Sequence, residues 1–199
     1  ISDEMMAAVD KADSAQFTIE DVLMPKGWEL LSFIMDSRTG LGRFKEFTIS
    51  NYQLMMQLID ACREYNIDEI LNLPDVKERV DIYIEHQDKF ESQIIKCANV
   101  YNNLVVLDLR NEDIIYAGNR FHIYGLFPQC NISIHRLWGL KKEKNVFAVG
   151  KSIFNKTSSV DIGLLMLKYG GGGHASAGTC QIDNDNAEQV LQELIKEVS

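Results

Sequence analysis

In KYGGGGHASAGTC (residues 168–180) four consecutive glycines run directly into a histidine. Each glycine gives up a side chain and is entropically expensive to order, so the run has to do something that side chains would prevent. Two uses are open. Backbone amides freed of side chains can converge on an anion as a nest, with His174 at its lip as a hydrogen-bond donor or as an acid near neutral pH. Alternatively, the run caps a helix and turns the chain, with His174 bonded to backbone. The small residues Ala175, Ser176, Ala177 and Gly178 keep the space beside the run open, which favours the ligand. The order helix, glycines, strand, with no lysine following, excludes the GxxxxGK[ST] phosphate loop and the GxGxxG dinucleotide fingerprint, both of which open a helix.

Other residues able to meet an anion are Arg120 in AGNRF and the pair Arg38 and Arg43 in the glycine loop DSRTGLGRF. For each, a salt bridge to a neighbouring carboxylate is the competing role. Lys141, Lys142 and Lys144 read as a solvated turn. His86 lies among charges on a helical pattern and is expected to be exposed. His122 and His135 sit on short apolar patterns and read as core-edge residues, with His135 also able to line a sheet face. Trp28 and Trp138 read as packing anchors.

The elements that must position these residues follow from the hydrophobic period. Residues 51–65 carry Leu54, Met55, Leu58 and Ile59 at helical spacing. Residues 74–100 form a long amphipathic helix that opens at Pro74-Asp75, its stripe including Val80, Ile84, Ile94 and Ile95. Between the two, DEILNLP reads as turn-like. From residue 103 the period changes to short β-branched runs: NLVVLDL and DIIYAG around the turn RNED, then CNISIHRLW and NVFAVGKS. RFHIYGLF reads as a short helix stopped by Pro128. SSVDIGLLMLKY reads as a helix capped by Ser158 or Ser159 with Gly170 just past its end, followed by the strand AGTCQI. The last helix presents Ala187, Val190, Leu191, Leu194, Ile195 and Val198 on one face, with Asp185 and Glu188 spaced as a capping box. The fold class is therefore α+β: a helical N-terminal part and a long linker helix, then a mixed β-sheet domain with helices packed on it.

With 199 residues, 46% of them hydrophobic and 25% charged, the chain is long and apolar enough for one domain or two small ones with a real core. A net charge of -9 argues against a general nucleic-acid coat. It leaves room for a local basic pocket, or for a site whose positive charge comes from a divalent metal. Cys62, Cys97, Cys130 and Cys180 are too scattered for a structural zinc site and read as free thiols of a reducing, cytoplasmic compartment. No apolar run reaches the ~20 residues that span a bilayer. The acidic N-terminus lacks the basic region of a secretory signal.

GGGGHASAG resembles the GGGHxxAxG signature of the C-terminal domain associated with DHH phosphoesterases, and the order of strands, helix, glycine loop, strand and final helix around it matches as well. VDKADSAQF, GWELLSFIMDSRTGLGRF, AGNRF and LFPQCNISIH resemble the exopolyphosphatase-related branch of that superfamily. The resemblance implies residues 1–75 as the back end of a DHH-type domain, 76–102 as a linker helix and 103–199 as the substrate-binding domain. It implies Gly171, Gly172, Gly173 and His174 as substrate contacts, with Lys151 of VGKS standing where relatives carry an arginine. A lysine offers a point charge in place of a planar fork.

Two Mn²⁺ or Mg²⁺ ions sharing a bridging water are implied as the catalytic centre. This chain has no DHH triplet, so most of those ligands are expected from a missing N-terminal domain, and Asp10, with Asp13 as its rival, is the implied remnant. The function implied is the substrate-binding half of a metal-dependent phosphoesterase acting on a phosphorylated small molecule, a short oligonucleotide or polyphosphate. A homodimer is compatible with this plan. The alternative is a non-catalytic phosphate- or nucleic-acid-binding or oligomerisation module.

Overall fold

The computed structural model describes residues 2–199. The chain divides into two compact units. The first comprises the residues up to Gln93 together with Tyr116–Gly125; the second comprises Ile94–Ile115 and Leu126–Ser199. Residues 116–125 thus fall with the helical unit, not with the sheet that flanks them in sequence.

The first unit contains helices α1 (Asp3–Asp13), α2 (Ile19–Leu23), α3 (Gly27–Met35), α4 (Asn51–Glu64) and α5 (Ile67–Leu71), most of α6 (Pro74–Cys97) and the start of α7 (His122–Leu126). Side chains set the helix starts. Capping boxes form at Thr18 with Asp21, Ser50 with Gln53 and Asn66 with Glu69, each satisfying two orphan backbone donors. The Asn66 box makes α5 a helix where a turn is expected from DEILNLP; Ile70 anchors it in the core. Five residues are too few to display a helical period. On α4 the buried residues are Leu54, Leu58 and Ala61, while Met55 and Ile59 face solvent. On α6 the stripe runs through Val76, Val80, Tyr83 and Ile94, leaving Ile84 and Ile95 exposed.

His86 is buried, contrary to the sequence expectation. Its Nδ1 accepts the Ala117 N–H at 3.1 Å, and its ring meets Phe44 and Tyr116 edge-on. The charges around it in sequence lie on the other faces of α6. Arg79 on the same helix is fully buried. Its guanidinium stacks 4.0 Å from the Phe47 ring centroid and donates to Asn51 Oδ1, to the carbonyls of Ile49 and Asp75, and to Glu78.

The second unit is a six-stranded mixed sheet in the order β1-β2-β3-β4-β6-β5, made of β1 (Ala98–Tyr101), β2 (Leu104–Asp108), β3 (Ile132–Trp138), β4 (Lys144–Lys151), β5 (Gly172–His174) and β6 (Ala177–Asp183). The β2–β3 pair is parallel and the rest antiparallel. The hairpin expected around RNED does not form, because DIIYAG is irregular. The partner of β2 is β1, at the end of the helical pattern. Tyr101 pairs with Leu104 across Asn102-Asn103, and Asn102 takes the left-handed φ of 52° that this tight turn requires.

One sheet face carries Leu104, Val106, Ile132, Ile134, Phe147, Val149, Cys180 and Ile182. It packs against α8 (Ile162–Lys168) and α9 (Asn184–Val198), and all six apolar residues expected on the α9 face are buried. The caps differ from expectation. Asp161, not Ser158 or Ser159, caps α8 by accepting the Leu164 N–H. α9 starts at Asn184, after Asp183, so Asp185 and Glu188 form no capping box. Glu188 instead takes Arg136 Nη1 at 2.8 Å, and Arg136 Nε donates to Asn145 Oδ1. Trp138 is an anchor as expected, donating its indole N–H to Arg110 O with the Arg110 guanidinium over its ring. The four cysteines are free thiols, and no helix among the described residues is long and apolar enough to cross a membrane.

Candidate functional site: the glycine–histidine hairpin

The glycine run divides its work residue by residue. Gly170 ends α8: its φ of 72° is left-handed, its N–H reaches Leu167 O, and the Gly171 N–H reaches back to Met166 O. Those two amides therefore cap the helix and do not join an anion nest. From Gly172 the chain is strand, pairing Gly172 with Thr179, Gly173 with Gly178 and His174 with Ala177. Ala175 and Ser176 form the hairpin tip. The missing side chains have different reasons. A Cβ on Gly171 would lie 2.0 Å from Thr179 O, and one on Gly173 2.2 Å from Ala177 O. Gly163 of α8 is close, though less tight: a Cβ there would lie 3.0 Å from Gly173 and 3.1 Å from His174. These glycines let helix and hairpin approach.

Gly172 is different. A Cβ there would meet nothing within 4 Å, and its φ is not left-handed. Neither packing nor conformation demands a glycine at that position, so the open space over Gly172 is what a ligand would use. β5 is also the sheet edge, which leaves one row of its backbone groups without a strand opposite.

His174 stands exposed beside that space, and its Nδ1 accepts the Ser176 N–H at 3.2 Å. An accepting Nδ1 places the proton of the neutral ring on Nε2, which makes Nε2–H a donor aimed away from the hairpin. Lys151, the last residue of β4, is tied to the same tip: its N–H donates to Ser176 O at 2.9 Å. The next residue, Ser152, is buried, and its Oγ accepts the N–H groups of Phe154 and Asn155, fixing the loop that leaves β4. Sheet pairing thus brings the backbone of Lys151 to the hairpin tip, while Gly172 and His174 share one face of β5, where His174 adds a directional donor.

The remaining candidates belong to the first unit. Arg120 is exposed there over the Phe121 ring at 4.5 Å and acts electrostatically on Asp36 and Arg38. Asp10 is exposed on α1, as is Asp13. Among the described residues no group of three or more His, Cys, Asp or Glu side chains is arranged to hold a metal ion. A two-metal centre therefore does not fit the residues of this chain by themselves. Asp36, which the sequence analysis did not single out, holds Arg38 through its N–H and Nε–H.

His135 does not join the hairpin corner. It pairs with Leu107 and Ala148 in mid-sheet, and burial pushes its imidazole down to about 4. The ring is therefore neutral at pH 7. Between pH ~6.5 and ~4 the unfolded chain takes up a proton that the folded chain refuses, so stability is full above ~6.5 and falls as pH drops toward 4. His86 and His122, also pushed down by burial, tilt the profile the same way. Urea midpoints measured from pH 7.5 to 4 should show His135→Gln removing about 1–2 kcal/mol of that decline. An unchanged slope would mean that the ring titrates as if in water.

No protein-family model matches the chain. It is 61% identical to PggH, a pGpG-specific phosphodiesterase from Vibrio cholerae, over 98% of this chain, with a TM-score of 0.92. It spans 65% of the length of that phosphodiesterase. A segment of 76 residues is 34% identical to the A-adding tRNA nucleotidyltransferase of Aquifex aeolicus, covering 35% of this chain and 9% of that protein. CDC45 from Entamoeba histolytica shares the fold at 10% identity and a TM-score of 0.54, over 85% of this chain and 37% of that one.

Proposed function

We propose that this chain is the substrate-holding part of a DHH-type phosphodiesterase acting on a short oligonucleotide, a guanylyl dinucleotide of the pGpG kind. The observation that carries the reading is the unforced glycine at 172, open beside His174, with the backbone of Lys151 bonded to the same hairpin tip. The likeness to PggH, a pGpG-specific phosphodiesterase, supports this substrate class. In this arrangement His174 donates to a phosphoryl oxygen, Lys151 neutralises charge on the same group, and the bare Gly172 backbone lets the phosphate come close. The hairpin thereby fixes the ligand's position, and immobilising a reactant is itself a large part of the catalysis of phosphoryl transfer. One pocket for one small anion also agrees with a net charge of -9, which would repel a long polyanion.

The test is incubation of the natural protein that contains this chain with pGpG and Mn²⁺, following GMP by chromatography. Water added across the phosphodiester gives two molecules of GMP. Gly172→Val should leave the melting temperature within about 1–2 °C, since valine suits a strand and meets open space. It should also raise KM at least tenfold, an expected ~1.4 kcal/mol or more of lost binding. His174→Ala should lower kcat/KM by about 10²-fold, the loss of one charge-assisted donor. A parent that leaves pGpG intact, or a Gly172→Val variant with unchanged KM, would overturn the reading.

A further inference from the structure

A cavity of about 270 Å³ in the first unit is lined by Ile34, Leu41 and Phe47 on its apolar side and by Asp36, Ser37 and Asn51 on its polar side, with Gly42 at its wall. Its size is at the low end for ligand sites, enough for one planar ring system but not for a whole dinucleotide. The walls are preset. Phe47 is held by the buried Arg79 guanidinium, 4.0 Å from its ring centroid. Arg79 also donates to Asn51 Oδ1 through Nε and Nη2 at 3.2 and 3.1 Å, which turns the amide so that Nδ2 is its donor end for a ligand. Asp36 Oδ1 accepts the Arg38 N–H and Nε–H at 2.9 and 2.8 Å, and Oδ2 takes Nε–H at 3.1 Å, leaving lone-pair capacity on Oδ2. Burial works against the Asp36 charge, but the Arg38 bonds and the nearby Arg120 hold the carboxyl below its ordinary value, so it is an acceptor at neutral pH.

We infer that this cavity is a guanine-base pocket, with the guanidinium groups of Arg38 and Arg120 beside it for the nucleotide's phosphate. The choice among bases rests on matching donors to acceptors. The guanine edge presents N1–H and N2–H₂ side by side, which suit Asp36 Oδ2 and the Ser37 hydroxyl, and its O6 suits Asn51 Nδ2. Adenine presents an acceptor N1 to the carboxylate, leaving two lone pairs facing each other, and a site built on such bonds rejects the wrong edge strongly. Phe47 and Leu41 supply the faces against which a base packs. This inference deepens the guanylyl-dinucleotide reading above and rests on it for the class of ligand.

The test titrates the 199-residue chain with GMP, AMP and inorganic phosphate, following backbone amide NMR shifts of Ser37, Leu41 and Gly42. GMP should move these amides at least tenfold more tightly than AMP. Phosphate alone should perturb Arg38 and Arg120 Nε–H but leave the cavity amides in place. Asp36→Asn should bring GMP and AMP to within threefold of each other. Because Asp36 also caps the turn Ser37–Thr39, a second variant guards against a folding artefact. Gly42→Leu projects into open space, so it should keep the fold and exclude GMP. Equal affinity for GMP and AMP, no shift at the cavity amides, or a Gly42→Leu chain that binds GMP like the parent would each overturn the pocket. GMP binding at these amides in a protein that leaves pGpG uncut upholds the pocket and defeats the phosphodiesterase reading. Cleavage of pGpG and pApA at equal rates does the reverse.

Discussion

Replacing Gly171 by alanine should destabilise the second unit by about 3 kcal/mol and lower its melting temperature by roughly 10 °C. The new Cβ would sit 2.0 Å from Thr179 O and 2.7 and 2.8 Å from Cβ and Cα of Cys180. Two of these three atoms are backbone of β6, a strand clamped on its other side by β4 through seven registered pairs. Neither strand can yield without breaking ladder bonds, so β5 must lift away. Gly172→Ala, one residue on, meets nothing and should change stability by less than about 0.5 kcal/mol. Urea denaturation of both variants, read by far-UV circular dichroism and Trp138 fluorescence, gives the comparison. Equal midpoints would show that β5 does not lie where its pairing puts it.

Arg79→Ala should cost the first unit about 3–5 kcal/mol, enough to leave it partly unfolded at 37 °C. The side chain is fully buried, and its removal strands Asn51 Oδ1 and the carbonyl of Ile49 without their donors. It also opens a cavity behind Phe47. Glu78 keeps Lys45 at 2.8 Å, so the lost partner is not its only one. Lysine should rescue less than half, because one ammonium cannot serve acceptors spread around a planar fork. Hydrogen exchange of the α4 and α6 amides checks this directly. Parent-like protection in the alanine variant would mean that these bonds add little.

Much of the fold was legible because its signals are local. The six-residue apolar face of α9 is written at helical spacing, and every member is buried. The strands at residues 132–138 and 144–151 follow from β-branched runs, and Gly170 as a helix end from the residue type that tolerates left-handed φ. What could not be read was either masked by a longer local pattern or set by partners distant in sequence. Nothing in DIIYAG says that it will not pair; β2 instead takes β1, across an Asn-Asn turn hidden at the end of a helical pattern. His86 looks exposed among charges, and only the distant Ala117 N–H gives its ring a reason to be inside.

The same division holds at the candidate site. The sequence alone singled out GGGGH, offered His174 and Lys151 as its chemical groups, and suggested a bare backbone there. Only the tertiary structure decided which glycine answers to what. Gly170 answers to a left-handed φ, Gly171 and Gly173 to the carbonyls of Thr179 and Ala177, and Gly172 to open space. The physical reason is that a missing side chain is explained by what would have occupied its volume. Those atoms come from strands and helices that the chain brings together only on folding.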